Sequence, residues 1–528
     1  MALDEPILHP QHTAKPQLGG NAAKPRLDLD GDGWSDVLVR NSKGKSSSLL
    51  STVGKTGGFT FNGSSQAVPR DVVALGNIRG GWGTEVLQWY NDGRLSMHQA
   101  FSSSTQAPTW TGHGWQVYNK LIAAGDLTKD GRGDLLARTP SGDLYLYRAT
   151  GAATGNPFAG KVKVGSGWKI YDQIVGANDL DADGIADLVA KDLNGNLYYF
   201  KGTGSASAPF KPRTWVGDGW NEYNKIMAVD DQNGDGKADL YGVALWGQLY
   251  FHASEGNGKF TARKQIGHYW IDSETWVNSG VTPVYGKHGV YLLDWYDWIR
   301  EAVNLTNGRF AGLTPLDQNP PPFPSSELVT VAGLDSSNRS YPFSFDRYAP
   351  KLINTTKGKS VWTLPTTDMV IGPGDLTGDG KGDLLFRESN GRLSVRAGNG
   401  DGVTFDYAGS AGTGWDTYKT IVGGGDISGD GRPDIVAASH DGHLYLYKGT
   451  GKASAPFTAR EWYSHGWNGY NGIAVPGDLN GDGRADLIAR DGDGTMWLYR
   501  SQGWGGAHTF ASREWLDSQW NRTDRSFN

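Results

Sequence analysis

Seven stretches of this chain repeat one nine-residue pattern, and that pattern limits the fold more than any other feature of the sequence. They read DLDGDGWSD (28–36), DLTKDGRGD (126–134), DLDADGIAD (179–187), DQNGDGKAD (231–239), DLTGDGKGD (375–383), DISGDGRPD (426–434) and DLNGDGRAD (478–486). Apolar residues such as IVGGG precede the loop; a run such as DLLAR, a glycine turn and an alternating run such as LYLY follow it. Alternation with period two marks half-buried strands joined by tight turns. A closing segment of the form FxxRxW completes a unit of roughly fifty residues and four strands, the size of one propeller blade.

Three further units keep the strands and lose the acids: NIRGGWGTE (77–85), VTPVYGKHG (281–289) and DSSNRS (335–340). The total is ten. GDLTKDGRGDLLAR at 125 matches GDLTGDGKGDLLFR at 374, KGTGSASAPF at 201 matches KGTGKASAPF at 448, and QNGDGKADL at 232 matches LNGDGRADL at 479, separations of 247 to 249 residues. The third to fifth units thus pair with the eighth to tenth, and the second and seventh are both acid-poor. A duplicated block of five predicts an all-β fold of tandem β-propellers, two five-bladed rings over 23–273 and 274–528 joined near Ser273, after a flexible tail over 1–22. A single larger ring is the alternative. The NPPPFPSS stretch (319–326) reads as a loop insertion, because a domain cut there would leave six units and four.

Coordination chemistry explains the acids. Side-chain oxygens at positions 1, 3 and 5, a backbone carbonyl at 7 and a carboxylate at 9 can wrap a hard cation, and glycine at position 6 permits the bend. The candidate ligands are Asp28, Asp30, Asp32, Trp34 and Asp36; Asp126, Thr128, Asp130, Arg132 and Asp134; and Asp179, Asp181, Asp183, Ile185 and Asp187. The fourth loop offers Asp231, Asn233, Asp235, Lys237 and Asp239, and the fifth Asp375, Thr377, Asp379, Lys381 and Asp383. Asp426, Ser428, Asp430, Arg432 and Asp434, then Asp478, Asn480, Asp482, Arg484 and Asp486, complete the set. Calcium suits these oxygens. An EF-hand would need Glu at position 12, where the loop at Asp126 has Ala137, and zinc or copper would want His or Cys, which the loops lack. Turn-forming Asp and Gly explain one such loop but not seven with one spacing.

About seven Ca2+ sites are therefore expected, and since each ion adds two charges, filling them all would move the formal charge from −6 to +8. The loops at Asp28 and Asp179, with four Asp each, are expected to bind most tightly. Open sites of this kind work at about 10⁻⁴ to 10⁻³ M calcium, which favours a secreted, extracellular protein. The opening MALDEPILHPQH lacks the charged-then-apolar pattern of a secretion signal, so that expectation places the signal peptide outside this chain.

Other partners and activities find little support. No basic stripe exists to neutralise nucleic-acid phosphates, and no apolar run approaches the roughly 20 residues of a bilayer span. There is no HExxH helix, GxSxG elbow or Gly-rich phosphate loop, and the repeated loops absorb nearly every conspicuous Asp. No enzyme is expected.

Aromatic residues form the second signature. Trp115, Trp168, Trp220, Trp415 and Trp467 each precede a tyrosine by three residues (Tyr118, Tyr171, Tyr223, Tyr418, Tyr470), and Asn119, Asp172, Asn224 and Asn471 follow four of these. A ring face beside amides or carboxylates suits sugar recognition, while a repeated Trp also packs one blade against the next. Under the pocket reading, Trp168→Ala weakens sugar retention without unfolding the domain. His113 and His465 read as exposed turn histidines. The cluster of Trp270, Trp276, Trp295 and Trp298 reads as the seam between rings in preference to a docking face.

The loop D-x-[DNTS]-x-D-G-x-x-D between strands resembles the FG-GAP or VCBS repeat of integrin α-subunit propellers and of many secreted bacterial proteins, over nearly all the chain after residue 22. GW-x-x-Y-[NDK], as in GHGWQVYN and GSGWKIYD, is similar to repeats of actinobacterial lectin-like propellers, which accompany trypsin-like domains or form the lectin subunits of umbrella toxin particles. Five-bladed lectins of the tachylectin-2 type are a looser comparison. The resemblance implies carbohydrate binding in pockets between blades, with calcium as scaffold. Cell-surface glycans or polysaccharides would be the partners, together with other subunits if the chain is the target-recognition lectin of a toxin complex. The alternative it leaves is an integrin-like protein-interaction scaffold that binds no sugar.

Overall fold

Apolar residues on the strands next to each acidic loop serve two neighbours at once. Leu121, Ala123 and Leu135 pack toward Val73 and Leu87, whereas the alternate residues Ile122, Ala124 and Leu136 pack toward Ile174 and Leu188. Both faces of the sheet are covered, so these strands read as nearly continuous apolar runs. The computed structural model describes residues 24–527 apart from 41–45, 52–55, 62–68, 81–82, 91, 245–246, 268–274, 282–288, 295–298, 305–309, 311–313, 316–326, 335–339, 347, 349–350, 362–365 and 518–523. The tail over 1–22, the joint at Ser273, the insertion at 319–326 and Trp270, Trp295 and Trp298 lie outside the described residues.

The described residues form an all-β, tandem-propeller architecture of ten four-stranded antiparallel sheets. Blade 3 shows the plan: Lys120–Gly125, Asp134–Arg138, Leu144–Tyr147 and Val162–Gly165, in chain order, with the acidic loop joining the first two strands. Blade 2 opens with Asp71–Gly76, blade 4 with Tyr171–Asn178 and blade 5 with Tyr223–Asp230. Blades 7 to 10 open with Glu327–Ala332, Thr367–Gly374, Tyr418–Gly425 and Tyr470–Gly477.

Blades 1 and 6 are built differently, each from three early strands and one late one. In blade 1 the late strand Thr275–Trp276 pairs with Val37–Arg40, and in blade 6 Asp524–Phe527 pairs with Gly289–Asp294. In both sheets the late strand takes one end of the strand order.

The chain divides into two compact units, one of residues 1–65 and 69–283, the other of 66–68 and 284–528. In the first, the fifth sheet packs on the first through Met227, Val229 and Tyr241 against Val37 and Val39. Within it Arg26 pairs with Asp230 at 2.8 Å and donates to the carbonyls of Ala123 and Gly176, while Lys120 Nζ donates to the carbonyls of Ser279 and Val281. In the second, Val290, Leu292 and Ala302 of blade 6 pack on Ala474, Leu479 and Ile488 of blade 10.

Candidate functional site

Each acidic loop is wired to the backbone at its two ends. The position-1 carboxylate turns the chain, as where Asp179 Oδ2 accepts the Gly184 N–H at 2.8 Å and Asp126 Oδ2 that of Gly131 at 2.6 Å. The position-9 carboxylate bridges strands: Asp187 Oδ2 accepts from Leu180 N at 3.0 Å and Oδ1 from Gly202 N, fifteen residues on, at 2.8 Å. Asp36, Asp134, Asp239, Asp383 and Asp486 make the same two bonds, and Asp434 accepts from Ser428 and Gly449. Neighbouring loops are tied as well, since Ala186 N donates to Asp126 O, Ala238 N to Asp179 O and Ala485 N to Asp426 O.

Burial leaves these charges unsatisfied. Desolvation pushes Asp134, Asp187 and Asp239 up to about 7 and Asp36 and Asp383 to about 8, against the lowering effect of their backbone bonds. Asp375 rises to about 6 and Asp426 to about 7 for the same first reason, with a neighbouring Asp adding to each. A carboxylate in such surroundings either takes a proton or gains a cation.

Two observations are compatible with a hard cation among these oxygens. In blades 1 and 4, carboxylate oxygens of Asp28, Asp30 and Asp36, and of Asp179, Asp181 and Asp187, lie within 4.8 Å of one another. At position 3, Asp181 Oδ1 and Thr128 Oγ1 are buried without a hydrogen-bond partner. In several loops position 7 supplies a side-chain cation to position 5: Arg132 to Asp130 at 3.6 Å, Lys237 to Asp235 at 3.3 Å, Lys381 to Asp379 and Arg432 to Asp430 at 3.7 Å, and Arg484 to Asp482 at 2.7 Å. Trp34 and Ile185 occupy position 7 in the two loops whose three carboxylates converge.

The GW-x-x-Y signature is an interblade lock. Gly114, Gly167, Gly219, Gly414 and Gly466 hold φ between 79° and 92°, a left-handed conformation open to glycine, and start a single 3-10 turn carrying the tryptophan. The Trp115 N–H bonds back to the Gly93 carbonyl in the hairpin of blade 2, and Trp168, Trp220, Trp415 and Trp467 do likewise to Gly142, Gly195, Gly391 and Gly442. Each ring then packs forward into the next blade: Trp115 lies 4.8 Å from Tyr147, Trp168 4.8 Å from Phe200, Trp220 4.8 Å from His252, Trp415 4.7 Å from Tyr447 and Trp467 4.9 Å from Tyr499.

At 8% exposure Trp168 is a core ring, and its truncation to Ala is expected to cost about 3–5 kcal/mol of stability, the range for a buried aromatic. The polar residues after the tyrosines are also engaged inward. Arg138 Nε donates to Asn119, Lys191 pairs with Asp172 at 2.6 Å and Arg490 Nε donates to Asn471, while Asn224 is buried and its backbone carbonyl accepts from Gln173 Nε2.

Open space remains where the lock meets the blade edge. A cleft of about 460 Å³ between blades 4 and 5 is lined by Trp220, Tyr223, His252, Phe260 and Arg263, with Glu222 and Glu255 on its sides. Its counterpart between blades 2 and 3, about 290 Å³, is lined by Trp115, Tyr118, Tyr147, Phe158 and Lys161, with His113 and Asn156. Burial holds His252 down at about 4, so it is a neutral hydrogen-bonding group, 3.0 Å from the Tyr223 hydroxyl.

Sequence reasoning treated FxxRxW as strand and missed its part here. Its Phe completes the aromatic cluster, its cation meets the tyrosine hydroxyl, and its last residue stands outside: Trp215, Trp462 and Trp515 are 56%, 45% and 62% exposed. The signal was the fixed spacing from Phe to cation.

A family model described as "FG-GAP-like repeat" matches residues 126–190, 375–437 and 426–489. No curated protein matches the chain. Among solved structures, it is similar to an Agrocybe aegerita lectin described as recognising non-reducing terminal N-acetylglucosamine, at 15% identity and a TM-score of 0.29 over 92% of this chain and 91% of that one. The BP39L lectin of Burkholderia pseudomallei aligns at 14% identity and a TM-score of 0.28, covering 76% of this chain and 99% of the lectin. Alignments this loose assign no ligand.

Proposed function

We propose that this chain is a calcium-stabilised carbohydrate-binding protein of the extracellular space, holding sugars in clefts between adjacent blades and catalysing no reaction. The observation that carries the reading is the recurrence of one cleft at two places, each with a Trp–Tyr pair, a phenylalanine, a cation on the tyrosine hydroxyl and polar groups on its sides. Aromatic faces stack on sugar C–H groups, and the polar groups orient hydroxyls. Several shallow sites on one chain would act together through avidity.

Calcium would be held by Asp28, Asp30 and Asp36, by Asp179, Asp181 and Asp187, and by the matching oxygens of the other five loops. There it would supply positive charge to crowded carboxylates and so stiffen loops that already bond from blade to blade. A role as the target-recognition lectin of a toxin complex rests on the GW-x-x-Y resemblance alone. The exposed Trp215, Trp462 and Trp515 favour a second reading, a scaffold that docks another protein.

Passing the protein over immobilised glycans in millimolar calcium separates the two readings. Retention that a free monosaccharide competes away, and that weakens with chelator, is the expected result. No retention on any glycan overturns the lectin reading and leaves the scaffold.

A further inference from the structure

Among the described residues, the cation just before the fourth strand is partnered by an acid in one blade and by none in four. Lys161, Arg213, Arg263, Arg460 and Arg513 each stand three residues after the strand's phenylalanine in blades 3, 4, 5, 9 and 10. Each head group meets the lock tyrosine: Arg213 donates to Tyr171 at 2.5 Å, Arg460 to Tyr418 at 2.8 Å, Arg513 to Tyr470 at 2.9 Å, Arg263 to Tyr223 at 3.2 Å and Lys161 to Tyr118 at 3.4 Å. Each also lies over a second ring, as Arg460 does over Tyr445 at 4.4 Å and Lys161 over Tyr145 at 4.8 Å, which fixes the charge in place.

Blade 5 shows what such a pair accepts. Two residues beyond its lock tryptophan stands Glu222, whose carboxylate is ion-paired with Arg263 beside the Tyr223 hydroxyl. At that position the other blades have Val117, Ile170, Thr417 and Gly469. Among the described residues no carboxylate lies within ion-pair distance of the other four cations; Asp192 and Asp491, whose charges act on Arg213 and Arg513 from farther away, accept from turn N–H groups. A guanidinium has five N–H donors and a fork matched to a carboxylate, and only one donor is spent on the phenol.

We propose that the cation–phenol pairs of blades 3, 4, 9 and 10 receive the carboxylate of an acidic sugar, of the uronic or sialic class, whose ring lies against the adjoining aromatic residues. In blade 5 Glu222 fills that place from within the chain, and its cleft takes an uncharged sugar. This assignment rests on the carbohydrate reading above and adds the substrate class. Charge agrees: the cleft between blades 2 and 3 carries Lys161 and no carboxylate, whereas that between blades 4 and 5 carries Asp218, Glu222 and Glu255 against Lys259 and Arg263.

The test uses the full chain in millimolar calcium with sugars differing at one group: glucuronate against glucose, and galacturonate against galactose, by titration calorimetry. The acidic member is expected to bind about tenfold tighter or more, the scale of one charge-assisted contact, and the margin to shrink in high salt. Replacing Lys161, Arg213, Arg460 and Arg513 together by Gln should bring the acidic sugar down to its neutral partner's level. Glu222→Gln should add one acidic-sugar site per chain, with an unchanged melting temperature showing the fold intact. Equal affinity for both members of each pair overturns the carboxylate assignment and leaves the lectin reading standing; so does competition by acetate as strong as by glucuronate. Failure of these and all other glycans to bind overturns both.

Discussion

The loops of blade 2 and blade 4 make the same turn with different chemistry. In blade 4, Asp179 caps the bend and Asp187 bridges two strands, with Asp181 and Asp183 between them. In blade 2, Asn77 Oδ1 accepts from Gly80 N at 2.7 Å, and Glu85 Oε2 from Ile78 N at 2.8 Å, the bonds that Asp28 and Asp36 make to Gly31 and Leu29 in blade 1. Positions 3 and 5 of blade 2 are Arg79 and Gly81, and Arg79 reaches the carbonyls of Ala153 and Gly155 instead. The ends of the loop therefore serve the architecture with or without an ion, and an acid at position 3 is what completes the carboxylate cluster in blades 1 and 4.

The largest effect expected tests the ends. Asp187→Ala strands the buried N–H groups of Leu180 and Gly202, at roughly 1–3 kcal/mol each, and should lower stability by about 2–6 kcal/mol in chelator and by more in calcium, because the same carboxylate is one of the three that would hold the ion. Glu85→Ala should act the same way in calcium and in chelator, in a loop that has no acidic middle. Denaturant titration of both variants decides it; a silent Glu85→Ala would show that the acids of blade 4 serve only the ion.

Next comes the middle. At 10 mM calcium, a site with a dissociation constant of 10⁻⁴ to 10⁻³ M stabilises the native state by about 1.4–2.7 kcal/mol. Asp181→Asn should remove that increment for blade 4, read as a smaller gap between melting curves with and without calcium, while Arg79→Ala in blade 2 should leave the gap alone. An undiminished gap in Asp181→Asn would move the ion away from position 3.

These two loops also show what the sequence displays and what it hides. The seven acidic loops, the strand alternation and the ten-unit count were legible because each is a local pattern repeated at a fixed interval. The dual use of Asp187 was hidden, since its second partner, Gly202, lies fifteen residues on, just past the strand Leu197–Phe200, and spacing alone cannot separate a ligand from a bridge. The same limit applied at the clefts. Trp115 and Trp220 were found, but their neighbours Lys161 and Arg263 join them only through strand pairing, and the burial of the ring is a tertiary fact. Asn119 and Asn224 looked like sugar ligands because they follow the tyrosine; the Asn119 side chain instead accepts from Arg138, and Asn224 is buried at 8% exposure.

A smaller effect concerns the cation already in blade 4. Lys201 Nζ bonds to Asp181 and lies 2.8 Å from Asp183; burial alone would lower its pKa, but these bonds raise it above the ordinary lysine value. The ammonium thus competes for the oxygens an ion needs. Lys201→Met should tighten calcium binding several-fold at low salt and lower the stability of the chelated protein, the two changes having one cause. Weaker calcium binding in this variant would mean that Lys201 holds the carboxylates in place for the ion.

The smallest effect returns to blade 2, whose loop has Arg79 and Gly81 where blade 4 has acids. Desolvation raises the Glu85 carboxyl above its ordinary 4.5, against the lowering bond from Ile78 and the charge of Arg79. A carboxyl with a raised pKa in the folded state binds its proton more tightly there than in the unfolded chain, so its contribution is fully present below the ordinary value and is lost as pH rises through the folded one. Glu85→Gln keeps an oxygen for the Ile78 N–H and has no proton to lose. Relative to the parent, this variant should therefore gain stability as pH rises from about 4.5 toward neutrality, by an amount calcium does not change. Calcium sensitivity of that gain would place an ion at blade 2 and dissolve the distinction between its loop and that of blade 4.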